Sequence, residues 1–312
     1  MANPIINEPR LTAAYEKMLE RVGRLEGVLG VDIGFLYENG RPTDELGIRV
    51  FSSEERWEYL RDAVPPSIDD VKVSHLVSRF EKHESPRCAS LPGEPPRKKR
   101  VDPIQPGVSV RNLGASAGTI GLIVDHATKG RCILSCAHVL TGGGVGAGVV
   151  QPAGGLGSDE IASLHDSFDD EDGDAAIAIL SSARRVLIAQ LGTDVVISTV
   201  RTPQIGEIVT KSGVGTGVTC GKVDGGGRYL TGRGASLKDD GTQAFRIVPL
   251  QGRGRRVTSN FSDSGSVWYA HADKAGVGLH MQGARDLITP GMMNSIACLL
   301  PTVLTRLQAT PA

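Results

Sequence analysis

The sequence predicts a mostly β protein, a strand-dense barrel or sandwich preceded by a small α+β unit. Glycine is one reason: only six of the 40 glycines fall in residues 1–84, so the remaining 228 residues carry about twice the ordinary frequency. The second reason is the spacing of apolar runs, which beyond Gly107 are short, close together and separated by glycine. Length is the third, since 312 residues is about twice a common domain size.

In the first unit, Leu11, Tyr15, Met18, Val22 and Leu25 recur at steps of four and three, the face of an amphipathic helix. Val31, Ile33, Phe35 and Tyr37 then alternate, Asn39-Gly40 marks a turn, and Leu46, Ile48 and Val50 alternate again, predicting a hairpin. Ser52 and Glu55 have the spacing of a capping box ahead of Trp57, Leu60 and Val64, so a second helix is expected up to Pro65-Pro66. A short strand over 71–77 completes the unit, taken as residues 1–84.

Residues 85–106 hold six prolines and the run Arg97-Lys98-Lys99-Arg100, a composition expected of an exposed linker. The plain reading of the basic run is a solvated connection, with an import signal or a processing site as alternatives. The third segment, residues 107–312, contains strands expected over 108–110, 119–124, 132–136, 175–180, 206–211, 245–250, 266–270 and 277–281, and a terminal helix over 301–307 with Pro301 in its first turn.

Charge narrows the partners. Thirty-four Lys and Arg against 35 Asp and Glu leave a formal charge of -1, without the basic excess of a nucleic-acid or anionic-membrane binder. No apolar run approaches a membrane span, and the first ten residues lack a signal-peptide pattern, so a cytoplasmic protein with protein or peptide partners is expected. The five cysteines are odd in number and form no CxxC pair, which predicts buried thiols and neither a disulfide framework nor a zinc site.

Three patterns carry chemistry. Ser135-Cys136-Ala137-His138-Val139 ends an apolar strand in a histidine; Asp174 opens the apolar run Ala175-Ala176-Ile177-Ala178; Ser264 crests the turn Ser262-Asp263-Ser264-Gly265-Ser266. Alone, each has a structural reading. Together they supply a general base, an orienting carboxylate and a nucleophile, because a serine hydroxyl attacks only when an imidazole takes its proton and a carboxylate holds that imidazole in one tautomer.

Here the sequence resembles the trypsin-like serine proteases of the chymotrypsin fold, closest to a non-secreted, bacterial-type subgroup with an extra N-terminal domain. The likeness covers residues 106–308 and rests on Ala117-Gly118-Thr119-Ile120-Gly121, Leu134 to Leu140, Asp174 to Ala178, Lys211-Ser212-Gly213, Thr216 to Gly221, Asp263 to Ser266 and Val277-Gly278-Leu279. It implies a two-barrel domain, with His138 as general base, Asp174 as its orienter and Ser264 as nucleophile. It also implies an oxyanion hole from the N–H groups of Ser262 and Ser264, and Asp263 as the buried acid of the nucleophile turn. Met281, Gln282 and Gly283 would line the primary pocket and pair with substrate backbone, and Thr258, with Ser259 or Asn260 as alternatives, would form a polar, uncharged pocket floor. No metal or organic cofactor is implied.

Two positions depart from the family pattern. Ser262 stands where glycine is usual, so the expected resting turn has this peptide flipped and weak basal activity, since serine resists the positive φ that glycine accepts. Val214 stands where an arginine or similar residue is common. The acidic stretch Asp166 to Asp172 fails the EF-hand loop pattern and is expected to be a solvated loop. Gly142, Gly144 and Ala147 match a dinucleotide fingerprint only loosely, with no helix following, and Gly221-Lys222 lacks the first glycine of a phosphate loop. His165, His271 and His280 have no metal spacing and read as structural.

The sequence thus predicts a cytoplasmic serine endopeptidase, with a regulatory protein partner as a further possibility. The rival reading is a pseudoprotease, a binding module that retains the fold, and it is weakened by the three filled catalytic positions.

Overall fold

The computed structural model describes residues 5–38, 41–81, 97–181, 184–231, 235–250, 257–286 and 293–312. Helix α1 (Pro9–Val22) buries Leu11, Tyr15, Met18 and Val22, the predicted face, and starts with proline where no N–H bond is needed. Strands β1 (Val28–Glu38) and β2 (Arg41–Ser52) pair antiparallel with Val31 opposite Val50 and Ile33 opposite Ile48. The connecting Asn39-Gly40 lies outside the described residues.

The Ser52–Glu55 capping box does not form. Ser52 ends β2, with its hydroxyl 2.9 Å from His75 Nε2, and a 3₁₀ turn over Glu54–Arg56 leads into the single-turn α2 (Trp57–Leu60). Strands β3 (Ser67–Ile68) and β4 (Val71–Glu81) follow, and β4 runs four residues beyond the expected end at Val77.

The rest of the chain contributes β5 (Ser109–Asn112), β6 (Gly118–Thr119), β7 (Leu122–His126), β8 (Gly130–Ser135), α3 (Ala137–Leu140), β9 (Gly148–Val150), β10 (Glu160–Asp170) and β11 (Gly173–Leu180). Then come β12 (Ile208–Gly213), β13 (Gly217–Tyr229), α4 (Leu237–Asp240), β14 (Thr242–Pro249), β15 (Val267–Ala270), β16 (Gly276–Asp286), β17 (Met293–Leu299), α5 (Leu300–Arg306) and β18 (Ala309–Pro311).

They form two sheets. The first has the order β18-β7-β8-β11-β10-β9-β5-β6 and makes a half-barrel. In the second, a β12–β13 pairing closes β12-β15-β16-β17-β14-β13 into a six-stranded barrel. The expected two-barrel, mostly β architecture is therefore present.

One expected loop is largely strand, and one long strand is unanticipated. The acidic stretch is not a solvated loop over 166–170: these residues belong to β10, which pairs with β11 through Asp169 opposite Asp174. Ile161, Leu164 and Phe168 are buried while Asp166 and Asp169 are exposed, so cross-strand pairing overrides the low strand propensity of aspartate. Strand β13 was hidden by Gly225-Gly226-Gly227. A Cβ on Gly225 would lie 2.2 Å from the Arg49 guanidinium, so the missing side chain makes room for a buried arginine.

That arginine joins the N-terminal unit to the barrel. Arg49 donates to both carboxylate oxygens of Asp32 (2.7 and 2.6 Å) and to Asp224 (2.5 Å), which also accepts from Arg246 (2.5 Å). All four side chains are buried, a placement charges tolerate only when paired. The sheet is continuous as well. Gly30–Gly34 of β1 pair with Tyr229–Gly225 of β13, along the edge that β12 occupies up to Lys222, and Ser78–Glu81 of β4 pair with Asp286–Gly283 of β16. The expected division at residues 84 and 107 therefore does not coincide with a break in the sheet.

The exposed-linker reading is also corrected for residues 97–106; residues 85–96 lie outside the described residues. Arg97 is 4% exposed and donates to the carbonyls of Gly107 (3.0 Å) and Leu191 (2.9 Å) and to the Ser212 hydroxyl (2.7 Å), which offset the cost of burying its charge. Ile104 joins the core. Lys98, Lys99 and Arg100 are exposed, and Arg100 pairs with Asp159 at 2.7 Å.

Candidate active site

The three candidate side chains sit where the barrels meet. His138 lies on α3, the single turn that follows β8; Asp174 is the second residue of β11, which pairs with β8 through Ala176 opposite Ser135. Two distant stretches of sequence are thereby brought side by side. The backbone N–H of His138 donates to Asp174 Oδ1 at 3.1 Å, and Nδ1 makes a short hydrogen bond to Asp174 Oδ2. The carboxylate thus fixes both the position and the tautomer of the imidazole, leaving Nε2 as the basic nitrogen.

Ser264 stands in the turn between Thr258 and β15. Its carbonyl accepts from the Thr119 N–H of β6 at 2.8 Å, and the neighbouring Gly265 N–H donates to His280 O of β16 at 2.9 Å, so the turn is pinned by both barrels. Gly265 has φ of 88°, and a Cβ there would lie 2.1 Å from Ser135 Oγ, which leaves only glycine. Ser264 is 9% exposed, and its hydroxyl donates to the Met281 carbonyl at 3.4 Å, a long and weak bond.

Ser262 adopts φ of 67°. This is the positive φ expected of a competent turn, and the flipped resting peptide expected from serine at this position is not what the structure contains. The carbonyl of Ser262 accepts from Thr119 Oγ1 at 2.6 Å, a bond that helps hold a conformation costing a non-glycine residue about 1 to 2 kcal/mol. Asp263, between the two, is fully buried and accepts from the N–H groups of Asn260 (2.9 Å), Gly215 (2.8 Å) and Thr216 (3.2 Å) and from Thr216 Oγ1 (2.7 Å).

Its cation is Lys211, 3.0 Å away, a residue with no expected role. The available signal was the motif Lys211-Ser212-Gly213 together with a buried acid left without a partner once Val214 fills the usual arginine position. Burial pushes the Asp263 carboxyl up, but the Lys211 ammonium, then His280 and the hydroxyl and amide donors, outweigh it and hold the group below the ordinary carboxylate range.

The expected substrate-contact residues fall into two groups. Met281 and Gln282 lie on β16 beside Ser264, both buried, with Gln282 Nε2 reaching Leu230 O at 3.5 Å. Gly283, expected to pair with substrate, is paired instead with Glu81 of β4. Thr258 is buried, its hydroxyl bonded to Met293 O (2.9 Å) and Ser295 Oγ (2.7 Å), and Ser295 in turn donates to Ser259 (2.8 Å). This cluster is polar and carries no charge.

One further set deserves a chemical test. One ligand atom each from Cys136, His138 and Asp174 lies within 4.8 Å of the others, a spacing a metal ion tolerates. His138 Nδ1 is already committed to Asp174, and burial, followed by the Asp174 charge, raises the Cys136 thiol well above its ordinary range, away from the thiolate that ligates metals.

Comparison with solved structures gives the same architecture. Protease A of Thermobifida fusca superposes with a TM-score of 0.51 at 16% identity, over 67% of this chain and 98% of that one. A glutamic acid specific serine protease superposes at 0.52 and 16%, over 67% and 100%, and a Nocardiopsis protease at 0.50 and 16%, over 67% and 98%. The chain has the chymotrypsin fold. Comparison of the sequence with family models and with curated proteins finds no match. Ser264 and His138 lie on opposite barrels, so the arrangement of the barrels sets the distance between them.

Proposed function

We propose that this protein is a serine endopeptidase that cleaves protein substrates through an acyl-enzyme on Ser264. The observation that carries the reading is the double hydrogen bond from His138 to Asp174, backbone and ring together, in a fold shared with solved proteases, a glutamic acid specific serine protease among them. A pseudoprotease has no use for a base oriented in this way, so the inactive reading is not favoured.

In the proposed reaction, the Ser264 hydroxyl rotates from the Met281 carbonyl toward His138. Its oxygen attacks the scissile carbonyl carbon as His138 Nε2 takes its proton. Asp174 keeps the Nδ1–H pointed at itself and stabilises the imidazolium that forms. The N–H groups of Ser262 and Ser264 receive the oxyanion, a contribution of about 100 to 1000-fold per donor where measured by mutation. His138 then protonates the leaving amine, and water, activated by the same base, releases the acyl group from Ser264.

Met281 and Gln282 present the edge against which a substrate backbone would lie, and the uncharged Thr258–Ser295–Ser259 cluster argues against a strict preference for Arg or Lys. We place the enzyme in the cytoplasm on its free thiols, Cys132, Cys136, Cys220 and Cys298, which fit a reducing compartment. Among the described residues no helix is long and apolar enough to cross a membrane. A regulatory protein partner remains part of the proposal without a residue assigned to it.

Covalent labelling with a fluorophosphonate tests the reading. Labelling of the native protein that disappears in Ser264→Ala is the expected result, and an unlabelled native protein would reject it.

A further inference from the structure

Strand β16 is shared along its length. Residues from Gly278 to Arg285 pair with β17 on one edge. On the other edge, Leu279, Gly278 and Gly276 pair with β15, and His280 exchanges bonds with the nucleophile turn through Gly265 and Ser266. Gly283 to Asp286 pair antiparallel with Glu81 to Ser78 of β4. Because Gly278, Leu279 and Gly283 to Arg285 also pair with β17, β15 and β4 must lie on the same, opposite edge. Between them only Met281 and Gln282 are left for a bound peptide.

The register of such a peptide follows from Ser264. Its hydroxyl lies 3.4 Å from the Met281 carbonyl, so the residue whose carbonyl it attacks lies opposite Met281. Antiparallel pairing sets the preceding residue opposite Gln282 and the one before that opposite Gly283. That third position is where Glu81 stands.

Resting on the protease reading above, we propose that β4 is a specificity-determining cap: it closes the peptide-binding edge after two residues on the N-terminal side of the scissile bond. The cap is built in. Val73–Val77 of β4 pair in parallel with Ile48–Ser52 of β2, β2 pairs with β1, β1 is joined to β13 by its ladder, and β2 itself reaches β13 through the buried Arg49–Asp224 contact. Ser78, at the start of the capping stretch, is itself buried. A third substrate residue gains no main-chain bonds unless it displaces the end of a strand that is paired with β2 over Val73–Val77.

The test uses the full chain and peptidyl phosphonates of one constant residue at the reactive position, extended N-terminally to a total of one to five residues. Fluorophosphonate labelling of Ser264 is run beside them. The second-order inactivation rate is expected to rise on adding the second residue and then to stay within about twofold. On an open edge the third residue adds two main-chain hydrogen bonds, a gain of about tenfold or more. Arg79→Pro, which breaks the β4 ladder beside Arg285, is expected to restore that gain. A tenfold rise at the third residue in the native protein overturns the cap while leaving the protease reading intact. No rise in a folded Arg79→Pro protein also overturns it, and if this variant fails to fold, the native series decides. Absence of fluorophosphonate labelling removes the protease reading and the cap with it.

Discussion

Lys211 Nζ stands 3.0 Å from Asp263 Oδ2, with both side chains wholly buried, and Asp263 immediately precedes Ser264, the proposed nucleophile. The ammonium also donates to Thr216 Oγ1 at 2.8 Å and lies 5.5 Å from the centre of the Trp268 ring. Through Asp263 this contact ties β12 to the turn of residues 262–264, so the geometry of Ser262 and Ser264 depends on a charge from another strand. Lys211→Met would leave a buried carboxylate without its cation, a change that typically costs about 3 to 5 kcal/mol. Urea unfolding should register that loss, and the fluorophosphonate labelling rate should fall at least about tenfold; a variant as stable as the native protein would show that the pair contributes little.

Acid should act on the same contact. The folded pKa of Asp263 is depressed below an unfolded value of about 4, so its stabilisation is present above that pH and is lost as pH falls through the folded value. In Lys211→Met, burial without the cation raises the folded pKa, and the sign reverses. Unfolding free energies measured between pH 6 and pH 3 should therefore converge for the two proteins, and a gap that stays constant would show that Asp263 does not titrate in this way.

Asp174→Asn keeps the shape of the side chain but removes a charged acceptor from His138 Nδ1 and admits the wrong tautomer. In this constellation the change costs about 10⁴ in kcat. Ser264→Ala and His138→Ala should each lose several orders of magnitude, and the double variant little more, because the residues act as a unit. Turnover of peptide substrates by all four proteins measures this, and additive losses would mean that the side chains act separately.

Ser262 already has the positive φ that its position demands, so Ser262→Gly should change stability more than activity. Relief of the left-handed strain, partly cancelled by the greater freedom of glycine in the unfolded chain, predicts a gain of up to about 1 kcal/mol. The value of kcat/KM should stay within about twofold. A tenfold rise would restore the view that this peptide rests flipped.

Much of the site was legible because its signals are local. His138 at a strand end, Asp174 at the head of an apolar strand and Ser264 in a glycine turn can each be picked out within five residues of sequence, and the structure joins the first two directly. The helix α1, the β1–β2 hairpin and α5 were visible for the same reason, since periods of 3.6 and 2 need no distant partner. Strand β10 is hidden because its aspartates read locally as loop, and β13 has no local strand signal across its three successive glycines; pairing with β11 and β14 and the bulk of Arg49 against Gly225 explain them. Arg97 was read as solvated for a similar reason: the carbonyls of Gly107 and Leu191 that accept from it are brought together only in the folded chain.

The sequence by itself determined the residue types of the candidate site, the β character of the larger part and the helix and hairpin of the smaller. Tertiary structure alone decided that Lys211 answers Asp263, that Arg49 bridges Asp32 and Asp224, and that β4 rather than open space faces Gly283. The physical reason is that propensity and periodicity act over a few residues, whereas strand neighbours and the partners of buried charges are selected among segments far apart in the chain. The Glu81–Gly283 pairing spans about 200 residues, and no local pattern in either segment names the other.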